Sequence, residues 1–305
     1  HAPELLADVD KAVARLERAI EGRERIVVFG DYDVDGLTGT VLLEDLLERV
    51  GADVGHLLPD RHGEGYGLQP QVVELAAEQG ARLIVTVDNG ISAAAGLAAA
   101  AARGIDVIVT DHHPQLGELP AAVAVVDPNR RDSEYPFAGL AGVGVAFKLV
   151  QALSGRLMER EARRQYLNGL LDLVALGTIA DMAPVLGENR LLIQRGLQVL
   201  NRTQRPGLQQ LLLSAGYVDR PVDSIGVAFH LAPRLNVAGR LRSPELAFRL
   251  LRSRDETEAA ALADELGQLN SRRQTLQRAA MAEAEALVSP QDLAGESMIF
   301  LLGES

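Results

Sequence analysis

The chain predicts an α/β fold: a mostly parallel, doubly wound sheet with helices on both faces, then a helical region and a long connecting helix. Three observations carry this. Short, largely β-branched runs at Ile26–Phe29, Leu83–Val87, Val107–Thr110 and Val123–Val126 alternate with helix-like stretches. That alternation marks strands joined by crossover helices. Beyond Pro128 the pattern turns helical, and from Asp255 to Leu287 apolar residues recur about every 3.5 positions, the period of a long packed helix.

Taken in order, residues 1–22 form an amphipathic helix, with Leu5, Val9, Val13, Leu16 and Ile20 on one face. Helices are expected at Leu37–Val50, Gln71–Gln79 and Ala93–Arg103, between the strands. Gly142 and Gly144 precede a helix at Val145–Leu153; they permit close packing in preference to offering helix amides to a phosphate. Leu170–Ala180 is continuously apolar and fits either a buried helix or a strand. Arg190–Asn201 and Leu208–Ala215 are further helices. At 1.5 Å per residue the last helix spans roughly 50 Å. The expected division is 1–250 as a catalytic domain, 251–288 as the connecting helix and 289–305 as the start of another domain. The chain begins at His1 and ends in an apolar run, Met298–Leu302, that resembles a strand just begun. It is therefore expected to be part of a longer protein.

The 305 residues, 47% hydrophobic and 24% charged, are ordinary globular composition. With no cysteine there are neither disulfides nor thiolate-bound zinc. No apolar run approaches the ~20 residues of a membrane helix and no signal peptide is visible, so a cytoplasmic protein without membrane contact is expected. The formal net charge of −12 weighs against nucleic-acid binding by the chain as a whole, unless bound cations offset part of it.

The chemistry concentrates at Ile26–Gly36. A strand ends abruptly in Asp31, Asp33 and Asp35, three carboxylates that repel one another unless a cation sits among them. Every predicted strand ends in an acid: Asp31, Asp88, Asp111 and Asp127. In an open α/β sheet these ends line the ligand crevice, so four distant segments should bring their polar tips together. Asp31, Asp33, Asp35, Asp88, His112, His113 and Asp181 supply oxygen and imidazole donors without thiolate, a set suited to manganese, iron or zinc, or to magnesium where oxygens dominate. That is more than one ion requires. Two ions sharing a carboxylate, acting on a phosphoryl group, is the economical arrangement. Adjacent histidines on an extended segment point to opposite sides. His112 is assigned to metal, and His113 to hydrogen-bonding the scissile phosphate or protonating the leaving oxygen.

These residues carry a resemblance. The segments GDYDVDG (30–36), VDNG (87–90), DHH (111–113) and GTIADMAP (177–184) resemble motifs one to four of the DHH phosphoesterase superfamily. DRHGEGYGL (60–68) and APRLNVAGRL (232–241) are similar to segments of its RecJ exonuclease family. The resemblance implies a 5′-to-3′ exonuclease on single-stranded DNA that releases 5′-mononucleotides. Its implied cofactors are two divalent cations, manganese preferred and magnesium able to stand in. Asp31, Asp33 and Asp35 fall on the first ligand cluster, Asp88 on the bridging carboxylate, His112 on a metal histidine and Asp181 on the last carboxylate. Asp31 stands where many superfamily members carry histidine. Single-strand-binding protein is the implied protein partner, and the chain is expected to act as a monomer.

Arg61, His62, Arg234, Asn236 and Arg240 lie in the two RecJ-like segments and are assigned to DNA phosphate. The later arginines, from Arg242 to Arg278, are expected on a solvated helix face. Aromatics are 4% of residues, which leaves little base stacking; Tyr66 is the exception, and Phe229 is expected to pack in the core. Two alternatives keep the fold: a small-substrate phosphoesterase acting on pyrophosphate, a cyclic dinucleotide or a short oligonucleotide, and a non-catalytic scaffold. The scaffold is disfavoured because every ligand position is filled.

Overall fold

A computed structural model describes residues 1–59 and 67–287. Its described residues hold one sheet of five parallel strands: β1 Ile26–Gly30, β2 Val54–Leu57, β3 Leu83–Val87, β4 Asp106–Thr110 and β5 Ala124–Val126, in the order β2-β1-β3-β4-β5. The four predicted strands are present. The fifth, β2, is a short edge strand that periodicity missed. Strand β1 lies between β2 and β3, so the chain leaves it to one side and returns to the other. A ligand crevice opens at this kind of reversal, beyond the carboxyl ends of the strands.

Alternation along β1 assigns the two faces. Ile26 and Val28 join the core beneath α1 (Val9–Glu21) and α2 (Val34–Arg49), while Val27 and Phe29 pack against α3 (Pro70–Glu78) and α4 (Ala94–Ala102). Both faces are covered, which is why β1 and β3 are buried along their whole length. Residues 1–22 are not one helix, since a 3₁₀ turn at Pro3–Leu5 precedes α1.

Beyond β5 come α5 (Gly142–Leu157), α6 (Arg160–Gly169), α7 (Leu171–Ala180), α8 (Gly187–Leu200) and α9 (Pro206–Ser214). The ambiguous Leu170–Ala180 run is thus a buried helix. A series of short helical turns follows from Ser224 to Leu241, including a π turn at Val227–Leu231. Next come α10 (Glu245–Arg252) and α11 (Glu256–Leu287). Only the first half of α11 is anchored: Leu262 and Leu266 are buried, whereas Leu276 is exposed. No helix among the described residues is long and apolar enough to cross a membrane.

Candidate metal centre

The strand ladder itself delivers the acids. The Asp31 amide donates to the Val87 carbonyl at 3.2 Å, the Asp88 amide to Thr110 at 3.0 Å and the Asp111 amide to Val126 at 3.2 Å. Each acid begins where the parallel pairing of its strand ends, so the side chains leave the sheet side by side. Asp88 does so with φ at +64°, a left-handed backbone uncommon outside glycine.

The helix after β1 starts earlier than the predicted Leu37. Helix α2 begins at Val34, and Asp33 caps it, Oδ1 accepting from the amides of Asp35 at 2.9 Å and Gly36 at 3.1 Å. Asp35 therefore projects from the first helical turn. Gly36 is needed for close approach, because a Cβ there would lie 2.5 Å from the Asp31 nitrogen.

Asp35 is buried against the start of α5. Its Oδ2 accepts from the Gly142 amide at 2.6 Å and its Oδ1 from the Val143 amide at 2.9 Å. A carboxylate, not a phosphate, thus holds these amides at the positive end of the helix. A Cβ on Gly142 would meet the Asp88 Cβ at 2.6 Å, as the close-packing reading requires.

His112 Nε2 lies 3.0 Å from Asp88 Oδ1 and 3.8 Å from Asp35 Oδ2. A backbone hydrogen bond at Leu140 orients the ring. His113 Nδ1 is 2.7 Å from Asp111 Oδ1, which also accepts from the amides of His112 at 2.7 Å and His113 at 3.1 Å. Oδ2 of Asp111 accepts from the Ile91 amide at 2.8 Å. Asp111 is therefore saturated by its own loop and serves as the support of His113. Asp127 also stays out of the cluster, and its Oδ1 accepts from the Asn129 amide at 2.7 Å. Asn129 in turn donates through Nδ2 to the carbonyls of His112 at 2.6 Å and Ala138 at 3.0 Å. Of the four strand-end acids, Asp31 and Asp88 face the cluster and Asp111 and Asp127 brace it. Sequence reasoning missed Asn129, although Asp-Pro-Asn is a recognisable side-chain-capped turn.

Three groups of donor atoms converge within 4.8 Å: Asp31–Asp33–Asp88, Asp35–His112–Asp181 and Asp88–His112–His113. All six residues predicted as ligands are in them, and His113 joins as a seventh. Asp181 arrives from the C-terminal end of α7.

The electrostatics call for cations. Burial, then the Asp33 carboxylate, pushes Asp31 up to about 7. Burial raises Asp33, and burial with Asp181 and then Asp33 raises Asp35 well above the usual range. Burial and Asp35 do the same to Asp88, and burial with Asp33 lifts Asp181 to about 6. Burial and then His113 depress His112 to about 4, leaving it neutral and able to ligate. Two like charges 4 Å apart cost about 4 kcal/mol at an effective dielectric near 20, so five carboxylates cannot all ionise here unaided. Two dications would leave the five with one net negative charge, and a single dication would leave three. The donor set fits two hard or borderline divalent ions. A cavity of about 650 Å³, lined in part by Phe147, Leu171, Leu191 and Arg195, contains none of these donors.

The DHH family, N-terminal domain, matches residues 25–178. A crystal structure of exonuclease RecJ bound to manganese superposes with a TM-score of 0.84 at 40% identity, covering 94% of this chain and 71% of that one. The chain belongs to the DHH family and, within it, to the RecJ group. The RecJ single-stranded-DNA-specific exonuclease of Bacillus subtilis (strain 168) is 43% identical over 93% of this chain and 35% of its own length. The RecJ of Escherichia coli (strain K12) is 43% identical over 92% and 50%. The chain thus spans between about a third and a half of these two curated relatives.

Not all residues assigned to DNA in this RecJ-like chain reach the cluster. Arg61 and His62, with Tyr66, lie outside the described residues. Arg240 is exposed and close enough to Asp33 to draw its carboxyl down against burial. Arg234 is turned away, donating from Nη1 to the His230 carbonyl at 2.7 Å and from Nη2 to Ser214 at 3.3 Å. Asn236 accepts at Oδ1 from the Val34 amide at 3.0 Å. Phe229 is 72% exposed, which overturns its expected core role; the π turn that carries it rotates it outward. Several later arginines are paired: Arg242 with Glu265, Arg249 with Glu258, and Arg252 with Glu44 and Glu48.

Proposed function

We propose that the chain is the catalytic part of a metal-dependent phosphodiesterase, a 5′-to-3′ exonuclease on single-stranded DNA that releases 5′-mononucleotides. The observation that carries this is the convergence of Asp31, Asp33, Asp35, Asp88, His112 and Asp181 within overlapping donor groups. Its similarity to RecJ over more than nine-tenths of the chain supports the substrate class. Residues 1–250 are the catalytic domain and the helix that follows Ser253 is the connector; the stretch 289–305 lies outside the described residues.

Asp31, Asp33 and Asp88 would hold one divalent cation and Asp35, His112 and Asp181 another, with Asp88 between them. Manganese is the preferred ion and magnesium a substitute; RecJ structures with each ion support a site for divalent cations. When bound, such a pair acidifies water and stabilises the attacking and leaving oxygens of an in-line displacement. The protein's residues do the rest. Asp111 fixes the His113 ring through Nδ1, and the opposite ring nitrogen hydrogen-bonds the scissile phosphate or protonates the leaving oxygen. Arg240 contributes positive charge at the rim beside Asp33. The enzyme acts as a cytoplasmic monomer in DNA repair and recombination, with single-strand-binding protein as partner.

The test is substrate choice. With manganese, the chain should degrade 5′-phosphorylated single-stranded DNA well ahead of duplex DNA or pyrophosphate, and Asp88→Ala should abolish turnover. Consumption of pyrophosphate alone, or an active Asp88→Ala protein, overturns the assignment.

A further inference from the structure

We propose that Asn236 is a positioning residue for the candidate metal loop and does not contact phosphate. The first turn of α2 needs a partner that its own sequence does not supply. An α-helix leaves its leading amides without partners inside the helix. Asp33 Oδ1 takes those of Asp35 and Gly36. The Leu37 amide bonds the Asp33 carbonyl at 2.8 Å. The amide of Val34 remains, and it belongs to the residue between two candidate ligands. Its partner comes from 202 residues along the chain: Oδ1 of Asn236, at 3.0 Å.

The neighbours of Asn236 close on the same loop. A Cβ on Gly239 would stand 3.2 Å from the Tyr32 carbonyl. Asn236 and Gly239 thus close on Val34 and Tyr32, on either side of Asp33. They lie outside the stretch, 25–178, that the DHH family's N-terminal domain covers. The turns from Ser224 to Leu241 therefore form a latch that completes the cap of the ligand helix, and Asn236 is its hydrogen-bonding contact. Without that oxygen the Val34 amide loses its acceptor, and Asp33 and Asp35 lose the anchor between them.

This inference rests on the metal-dependent reading, and the experiment separates the two. Manganese affinity of Asn236→Ala is measured by calorimetry, and KM for single-stranded DNA at saturating manganese by steady-state kinetics. Hydrogen exchange at Val34 is followed in the metal-free protein. Manganese should bind about tenfold more weakly, the low end of the range for residues that support metal ligands. Val34 should lose protection, and KM should stay unchanged. Val34→Pro is the second variant. Proline is tolerated at the first helical position and removes the donor, so adding Asn236→Ala to it should change manganese affinity little further. Unchanged manganese affinity with a raised KM would make Asn236 a phosphate contact and overturn the proposal. So would fully additive effects of the two substitutions. A wild-type chain that binds no manganese would instead sink the metal-dependent reading.

Discussion

Asp111 and Asp88 are both buried acids at strand ends, yet they do opposite work. Asp88 is surrounded by carboxylates and a neutral imidazole, so burial and Asp35 hold its proton on. Burial also works to raise Asp111, but the His113 hydrogen bond and charge outweigh it and hold that carboxyl below its usual range. The difference lies in the partners each loop supplies. Asp111→Asn should keep the fold and cut the rate by about 10–100-fold, the usual cost of losing an orienting partner. It should disturb manganese affinity less than Asp88→Ala does; calorimetry beside kinetics checks the split. Much of this centre was legible in the sequence because acids that close several strands in succession repel one another unless a cation joins them. The same logic overreached at Asp127, since a strand-end acid also makes a good turn cap. Asn236 and Arg234 were placed on DNA phosphate by resemblance; their side chains here bond Val34, His230 and Ser214, partners that residue type does not reveal.

Among the elements, α2 is the one the site depends on. Its N-terminus carries Asp33 and Asp35, and its middle carries Glu44, buried to 2% exposure. Glu44 binds His56 Nδ1 at 3.2 Å and Arg252 Nη1 at 2.7 Å, and Glu245 takes His56 Nε2 at 3.0 Å. This network ties α2 to β2 and α10, with the His56 ring packed 4.0 Å from Phe248. Burial works to lower His56, but Glu245 and Glu44 prevail and raise it from 6.5 to about 9. A group raised on folding gives its full stabilisation below the unfolded pKa and loses it as pH rises through the folded one. The stability gap between wild type and His56→Gln should therefore be largest below pH 6.5 and shrink as pH passes about 9; denaturant melts across that range measure it. Strand β2 escaped the sequence because Val-Gly-His-Leu is short, half-buried and contains a glycine, the profile of an edge strand. Where α5 meets the acidic cluster, Gly142→Ala should push the helix off Asp88. Overpacking of that kind costs about 1–3 kcal/mol, and both melting temperature and activity should fall.

Across the whole molecule, a chain of net charge −12 gathers five of its carboxylates into one crevice. The uncompensated cluster opposes folding, and cations that bind only the folded state reverse this. At a free concentration of 100 times Kd, one bound ion adds about 2.7 kcal/mol. Thermal melts should therefore rise with manganese, fall on chelation and lose most of this response in Asp35→Ala. Strand order, the reversal at β1 and the latch on α2 are long-range features. No local pattern reports them, which is why the candidate ligands were legible while their scaffolding was not. The most direct check is the number of manganese ions bound per chain at saturation, counted by calorimetry or native mass spectrometry. Two in the wild type, and fewer in Asp181→Asn, is the predicted result. One ion or none in the wild type would contradict the paired-cation centre.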